Sequence, residues 1–210
     1  MSKEQLNNKL QYIERYLDAG FNIIPLQPES KLPAYDVLPI DAKGKAIWRP
    51  LSIEPFSKRE LETIYKNNPE LNLGLITGSS SAGLVVIDVD YFNREILNLL
   101  ARYHTTLVET KRGFHHYFLT DVSLQNYKFD WGEFLADTLY ANTPPSIHPL
   151  GTLYQFVPGY ELDKIVLIPD EIVNHLKHYK SPRDKRNSKK TIDKTNYLKT
   201  IIMNGVDCYV

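Results

Sequence analysis

The stretch Gly83-Leu-Val-Val-Ile-Asp-Val-Asp90 is an apolar, strand-forming run that ends in two carboxylates. Side chains alternate between the two faces of a β-strand, so Asp88 and Asp90 project from the same face. Neighbouring carboxylates repel each other unless positive charge neutralises them, and hard cations such as Mg²⁺ bind oxygen ligands. The stretch therefore predicts a buried strand that carries a candidate site for a divalent cation.

This motif alone leaves the chemistry open. Asp-x-Asp pairs occur in glycosyltransferases, phosphatases, nucleases and polymerases, and they also arise by chance at strand ends. The sequence contains neither a Walker phosphate loop nor a dinucleotide-binding fingerprint. It also lacks a Gly-x-Ser-x-Gly nucleophile elbow. The two common nucleotide-binding loops are therefore absent, and no nucleophilic triad is evident.

The pattern of apolar residues around this strand predicts the fold class. Helical spacing predicts helices over 3–18, 57–67, 92–103 and 170–179, the second opened by a capping box from Ser57 to Glu60. Short apolar runs predict strands over 21–26, 71–77, 84–89, 105–110, 115–119, 132–136, 139–142 and 152–157. Because strands and helices are grouped rather than strictly alternating, the prediction is an α+β fold with a mixed or antiparallel sheet flanked by helices.

Composition indicates an ordinary globular protein. The chain has 210 residues, of which 42% are apolar and 24% charged, enough for one sizeable core. No apolar run approaches the roughly 18 residues of a membrane span, and the first residues lack a signal-peptide apolar segment. The single cysteine, Cys208, cannot form an internal disulfide. We expect a cytoplasmic protein with no membrane partner.

The net charge of zero conceals an uneven distribution. Residues 180–194 contain seven basic and two acidic side chains, a charge of +5, which leaves −5 on the rest of the chain. Such a basic tract can bind phosphate, but it is more often a solvated linker. We expect a main domain over residues 1–179, a basic linker over 180–194, and the truncated start of a further C-terminal region over 195–210.

A second polar segment, Lys111-Arg-Gly-Phe-His115-His-Tyr-Phe118, contains a predicted hairpin turn followed by a strand. Alternation places His115 on one face and His116 on the other, so a single histidine can face a cleft. Lys111 and Arg112 in the turn could supply positive charge to a phosphate. A surface hairpin with a packed histidine is the alternative. Adjacent histidines on opposite faces are poor joint zinc ligands.

A third segment, residues 132–151, contains Glu133, Asp137 and the turn Pro144-Pro-Ser-Ile-His148. The two prolines stiffen this turn, so Ser146 and His148 are presented on a rigid loop. Both side chains could donate hydrogen bonds to a phosphate. A purely structural turn is the alternative.

Taken in order, these segments resemble the primase-polymerase branch of the archaeo-eukaryotic primase superfamily over roughly residues 10–160. The resemblance is carried by Gly20-Phe-Asn-Ile-Ile-Pro-Leu26 with Glu29-Ser-Lys-Leu-Pro33, by Asn72-Leu-Gly-Leu-Ile-Thr-Gly78 with Gly83–Asp90, and by Lys111-x-Gly113-x-His115-x-Tyr-Phe118. The third motif of this family is a carboxylate that opens a strand thirteen residues before the serine of a Pro-Pro-Ser-like turn. Glu133 lies thirteen residues before Ser146, with Asp137 as the fallback. Many members have serine where this chain has Gly113.

The resemblance implies an archaeo-eukaryotic primase-like catalytic core with an RRM-like palm in residues 1–179. The implied enzyme is a DNA primase and DNA polymerase, a nucleotidyltransferase that makes primers de novo and extends the primer strand on single-stranded DNA template from dNTPs or NTPs. Two Mg²⁺ or Mn²⁺ ions would be held by Asp88, Asp90 and Glu133. The triphosphate would be bound by Lys111, Arg112, His115, Ser146 and His148, and Tyr140 could stack on the base or sugar. Members of this branch are encoded beside helicases or CRISPR-associated proteins, which are the further partners implied.

Two other classes remain as alternatives. A metal-dependent nuclease or phosphohydrolase needs the same carboxylates but no nucleoside triphosphate pocket. A non-catalytic nucleic-acid-binding module would bind template through the basic tract without any metal dependence.

Overall fold

The computed structural model describes residues 2–179 and 190–206. The α-helices in these residues are α1 (Lys3–Asp18), α2 (Lys58–Asn67), α3 (Arg94–Leu100), α4 (Asp170–His178) and α5 (Lys194–Val206). The strands are β1 (Ile23–Leu26), β2 (Asn72–Ile76), β3 (Leu84–Val89), β4 (Leu107–Glu109), β5 (Phe114–Leu119), β6 (Tyr127–Lys128), β7 (Gly132–Leu135), β8 (Tyr140–Thr143), β9 (Gln155–Phe156) and β10 (Val166–Leu167). Within this described part, no helix has the length and apolar character that crossing a membrane requires.

The strands form two sheets. The small sheet has the order β1-β2-β8 and is antiparallel throughout. The large sheet has the order β6-β7-β3-β5-β4-β9, all antiparallel, and β10 joins β5 in a parallel pair. Helices flank these sheets, so the predicted α+β class with a mixed sheet is confirmed.

The strand β3 is the centre of the core because both of its faces are covered. Val85 and Ile87 point into a cluster that includes residues of α3, α4 and α5. Leu84 and Val86 point into a second cluster built with α1, α2 and the small sheet. All four side chains have no solvent exposure. Burying side chains of this size contributes roughly 1.5–3 kcal/mol each, so β3 is a rigid base for whatever its end carries.

The predicted capping box at the start of α2 is confirmed. The Ser57 hydroxyl accepts the backbone N–H of Glu60 at 3.3 Å, and the Glu60 carboxylate accepts the N–H of Ser57 at 2.8 Å. An equivalent reciprocal pair between Ser2 and Gln5 opens α1. Such caps satisfy N–H groups that have no partner within the helix, and each contributes about 1 kcal/mol. They fix where α1 and α2 begin over the second cluster.

Residues 190–206 pack against the large sheet. Ile192, Tyr197 and Ile201 are buried in the same cluster as Val85 and Ile87. The Tyr197 hydroxyl lies 2.9 Å from Nε2 of His116, and the Lys194 ammonium lies 3.0 Å from Glu109. Most of the predicted basic linker, residues 180–189, lies outside the described residues. The division into a domain, a linker and a further C-terminal region stays a prediction.

Candidate active site

Three polar side chains form a row across three neighbouring strands of the large sheet. Asp88 of β3 lies opposite Glu133 of β7 on one side and opposite His115 of β5 on the other. Side chains of directly opposed residues project from the same face of a sheet. Asp90 follows two residues after Asp88, where its backbone N–H donates to the Trp131 carbonyl at 2.9 Å. The fold thus brings distant parts of the sequence together at one end of β3.

Asp88 is the buried centre of this row. Its side chain is 14% exposed, and its Oδ1 has no hydrogen-bond partner among the described residues. The Nε2 of His115 lies 3.5 Å from this oxygen, longer than an ordinary hydrogen bond. Burial acts to raise the pKa of Asp88, but the adjacent His115, helped by Lys31 and Arg112, holds it below the usual value. Burial, followed by the charge of Asp88, raises the pKa of Asp90.

Glu133 makes an ion pair at the edge of the row. Its Oε1 lies 3.0 Å from the ammonium of Lys128, which is its cross-strand neighbour on β6. The Glu133 side chain is 40% exposed and the Lys128 side chain 82%. Exposed pairs of this kind contribute about 1 kcal/mol or less, so the carboxylate can exchange its partner at small cost.

Asp137, the fallback for the third carboxylate, lies at the other end of the strand. Leu135 pairs with Val86, so Asp137 is near the beginning of β3. It is four positions after Glu133, a distance of about 13 Å along an extended strand. The Asp137 carboxylate packs against Gly78 and lines a different cavity of about 360 Å³. The structure therefore brings Glu133, and not Asp137, beside Asp88.

A cleft of about 270 Å³ lies between the two sheets at the end of β3. Its walls come from both sheets and from the turn after β1, and they include Lys31, Asp88, His115, Glu133, Leu135, Leu139, Tyr140, Ala141, Asn142 and Tyr154. One part of the lining is charged or polar and the other is apolar or aromatic. A ligand with a charged end and an aromatic end matches such a lining.

The comparison with protein families identifies this arrangement. Residues 13–171 match the Prim-Pol family model, described as bifunctional DNA primase/polymerase, N-terminal. The chain belongs to the Prim-Pol family. The matched range contains the whole row and the whole cleft, and the resemblance inferred from the motifs is confirmed. A search of curated proteins found no match.

Membership of the Prim-Pol family implies a primase/polymerase enzyme whose substrates are DNA and nucleotides. Prim-Pol enzymes generally use divalent metal ions. The match ends at residue 171, so α5 lies beyond it although α5 packs into the same core.

Two basic residues predicted to bind phosphate, Lys111 and Arg112, lie in the turn between β4 and β5. The guanidinium of Arg112 is 3.6 Å from Oδ2 of Asp90 and 5.9 Å from the ring centre of Tyr91. Lys111 is exposed. The turn therefore places the Arg112 guanidinium beside Asp90, and the role of both residues in phosphate binding stays a prediction.

His148 is near the same positive charges. Its Nδ1 accepts the backbone N–H of Leu150 at 3.1 Å, which leaves Nε2 for another partner. Burial lowers the pKa of His148, and the nearby Lys31, Arg112 and Lys111 lower it further. The imidazole is accordingly neutral at pH 7, with Nε2–H as a hydrogen-bond donor.

Ser146, by contrast, is turned away from the cleft. Its hydroxyl accepts the backbone N–H of Leu73 at 2.7 Å and donates to the Leu73 carbonyl at 2.9 Å. The residue is 1% exposed. The structure therefore shows Ser146 joining the 144–148 turn to β2, and we do not include it among the phosphate-binding groups proposed below.

Replacing Ser146 with alanine is expected to reduce stability and to leave nucleotide affinity unchanged. Loss of the hydroxyl leaves a buried N–H and carbonyl of Leu73 without this partner, which costs about 1–3 kcal/mol. Urea unfolding measures the stability, and the KM for nucleotide measures the affinity. The exposed Ser123→Ala is the matched control. A large rise in KM with no loss of stability would contradict the structural role.

The donor set fits divalent cations in its chemistry but is not a complete ligand sphere. In residues 2–179 and 190–206, no three His, Cys, Asp or Glu side chains are grouped closely enough to hold a metal ion. Asp88 and Asp90 supply two oxygen donors, and Asp88 Oδ1 is buried without a hydrogen-bond partner. The third candidate, Glu133, forms an ion pair with Lys128. Hard cations bind carboxylate oxygens of this kind.

Sequence reasoning missed Lys31, Asn142 and Tyr154 as lining residues of the cleft. Lys31 belongs to the family motif Glu29–Pro33, but the apolar residues around this motif follow neither a helical nor a strand pattern, so nothing local indicated where its side chain lies. Asn142 and Tyr154 lie on or beside short strands whose pairing partners are far away in sequence. A polar residue at the end of an otherwise apolar predicted strand is the one signal that could have indicated Asn142.

Proposed function

We propose that this Prim-Pol domain synthesises primers de novo and extends them on single-stranded DNA by two-metal-ion nucleotidyl transfer. The observation that supports this most directly is the row of Glu133, Asp88 and His115 at the end of β3, with Asp90 beside it. The row faces a cleft with one polar and one apolar part. Such a cleft suits a nucleotide, which has a phosphate chain at one end and a base at the other.

Asp88, Asp90 and Glu133 are the residues that would hold the cations. When bound, two divalent cations lower the pKa of the attacking 3′-hydroxyl and neutralise the departing pyrophosphate. The mutual repulsion of Asp88 and Asp90, expressed in the raised pKa of Asp90, favours cation uptake. Glu133 is free to join them once its exposed contact with Lys128 is released.

The remaining residues position the triphosphate. Phosphoryl transfer depends mainly on alignment and on neutralising charge, so positively charged side chains near the cations would assist it. Arg112 and Lys111 supply positive charge, and the neutral His148 supplies a hydrogen-bond donor. His115, 4% exposed and directly beside Asp88, can contact a phosphate oxygen bound next to that carboxylate.

A nuclease that uses the same carboxylates is the second candidate. The apolar part of the cleft argues against it, because Leu135, Leu139, Ala141 and the ring of Tyr140 offer a surface for a nucleoside. Hydrolysis of a DNA backbone requires no such surface. The lining therefore supports a site that binds free nucleotides.

The deciding experiment supplies single-stranded template, Mn²⁺ and nucleotides without a primer. Short oligomers of increasing length are the expected product, and they should be resolved on a denaturing gel. A parallel reaction with labelled DNA, Mn²⁺ and no nucleotides tests for degradation. Degradation without any synthesis would overturn the proposal in favour of the nuclease. Template binding with neither reaction would leave only a binding module.

A further inference from the structure

Residues 27–33 form a tight turn that projects from the end of β1. The backbone N–H of Gln27 donates to the Leu32 carbonyl at 2.9 Å, and Leu26 bridges to Pro33. Glu29 adopts a φ of +47° in the left-handed region, which is unfavourable for a residue with a Cβ. A conformation of this kind persists only where surrounding contacts determine it. The turn is therefore held in one shape.

The contacts that hold it come from the small sheet beside the cleft. The Ser30 carbonyl accepts hydrogen bonds from the side-chain amides of Asn72, at 3.2 Å, and Asn142, at 3.0 Å. The next carbonyl, that of Lys31, accepts from the hydroxyl of Tyr140 at 3.0 Å. Both asparagines are buried. Three side chains from β2 and β8 thus fix two consecutive carbonyls of the turn.

The fixed backbone places the exposed Lys31 side chain at the cleft. The Lys31 side chain lines the cleft together with Asp88, His115 and Asn142. Among residues 2–179 and 190–206, no carboxylate lies within 4 Å of its ammonium, so it has no ion-pair partner there. Its charge nevertheless acts on Asp88, Asp90 and His148. A lysine held beside an acidic site without pairing to it is available to an anionic ligand.

We propose that Lys31 binds the phosphate chain of the incoming nucleoside triphosphate and that Asn142 is a positioning residue for it. This inference rests on the proposed function. The nucleotide then lies with its phosphates toward Lys31 and Asp88 and its nucleoside over Leu139 and Tyr140. The Tyr140 hydroxyl also donates a hydrogen bond to the Lys31 carbonyl. This side chain therefore connects the phosphate end of the cleft with the nucleoside end.

Equilibrium binding of non-hydrolysable α,β-imido analogues of dATP and ATP, with Mg²⁺, tests the role of Lys31. Lys31→Met should weaken binding of both analogues, and of inorganic pyrophosphate, about tenfold or more, since a charged hydrogen bond to phosphate is lost. Lys31→Arg should restore most of the affinity. Lys43→Met, an exposed lysine of the same loop region, should change nothing. Affinity for single-stranded DNA should be the same in all four proteins.

Asn142→Ala separates positioning from direct contact. If Asn142 acts through Lys31, the double variant with Lys31→Met should bind the analogue no more weakly than Lys31→Met alone. Additive losses would show an independent role and overturn the positioning assignment. Circular dichroism melts check that the variants are folded.

Two outcomes overturn the proposal for Lys31 itself. One is unchanged analogue and pyrophosphate binding in Lys31→Met. The other is an equal loss of DNA affinity, which would place Lys31 on the template. Failure of the proposed function looks different: the native protein would bind the analogues through Lys31 but synthesise nothing. In that case the assignment of Lys31 to a phosphate site is retained and the proposed polymerase activity is rejected.

Discussion

Replacing both Asp88 and Asp90 with alanine is expected to reduce nucleotide incorporation about a thousandfold or more while the protein stays folded. The two carboxylates lie side by side at the end of β3 and are the proposed bridge between both cations. Metal ions contribute several kcal/mol to this class of reaction, and each 1.4 kcal/mol corresponds to a factor of ten in rate. Incorporation of labelled nucleotide on a primed template, in Mg²⁺ and in Mn²⁺, measures the loss.

The stability of the same variant provides a second readout. Asp88 is mostly buried with an unpartnered oxygen, and Asp90 has a raised pKa caused by burial and by Asp88. Removing Asp90 relieves the repulsion that raises its pKa, whereas removing Asp88 loses the favourable interaction with His115 that holds the pKa of Asp88 low. Because the two effects oppose each other, the thermal midpoint should change little. The exposed Asp121→Asn serves as the control for loss of an acidic side chain. A variant that still makes primers, or one that is inactive only because it unfolds, would contradict the assignment.

Local sequence patterns were sufficient for part of this site. The alternation of Leu84 to Asp90 predicts that Asp88 and Asp90 lie near each other, because that period is a property of the strand itself, and the charge of Asp88 does act on the Asp90 carboxyl. The hairpin signal before His115 likewise places this residue at the start of β5. Both predictions depend only on residues that are close in sequence.

The rest of the site depends on strand register, which the sequence does not encode locally. Asp88 meets Glu133, 45 positions later in the sequence, because β3 and β7 pair antiparallel. A shift of one residue would turn Glu133 to the other face. The motif spacing selected Glu133 through the family resemblance and not through any local period. Lys128 was not predicted as its partner, because the two-residue strand β6 is too short to leave a pattern.

Ser146 and Lys31 both show that local sequence does not determine the direction of a loop side chain. Ser146 was predicted to bind phosphate and faces away from the cleft, whereas Lys31 was not and lines it. A serine on a stiff, proline-rich turn is an attractive phosphate ligand by sequence, yet its hydroxyl is used by the Leu73 backbone. Lys31 enters the sequence prediction only as part of a family motif and with no role of its own, yet long-range hydrogen bonds from β2 and β8 hold its turn at the cleft. Side-chain direction in loops is decided by tertiary contacts between segments distant in sequence.

The C-terminal residues illustrate a further tertiary effect. Composition predicts that residues 195–210 begin a further region, and that division stays a prediction. Within the described part of this stretch, Tyr197 and Ile201 are buried against the large sheet. A helix pattern alone does not tell whether its apolar face packs on a preceding domain or on a following one. Here the contact between Tyr197 and His116, next to His115 on β5, places α5 directly behind the candidate site.

Separate changes at Glu133 and Asp137 are expected to differ strongly in effect. Glu133→Gln should lower synthesis about a hundredfold, equivalent to about 3 kcal/mol of transition-state stabilisation, because the amide is a poor ligand for a hard cation. Asp137→Asn should stay within about threefold of the native rate, since its carboxylate lies near the opposite end of β3. Primer extension under single-turnover conditions compares the two variants.

Lys128 supplies the control that isolates the carboxylate. Lys128→Gln breaks the ion pair with Glu133 but keeps the acidic group, so synthesis should persist if cation binding is what Glu133 does. If synthesis required the ion pair itself, Lys128→Gln and Glu133→Gln would be equally damaging. An inactive Asp137→Asn would instead identify Asp137 as the third cation ligand. The exposed ion pair between Lys128 and Glu133 costs little free energy to break. The Glu133 carboxylate, in contrast, cannot be replaced by another residue of β7, because Gly132–Leu135 contains no second carboxylate. Retained activity in Lys128→Gln together with its loss in Glu133→Gln would therefore locate the third ligand at residue 133.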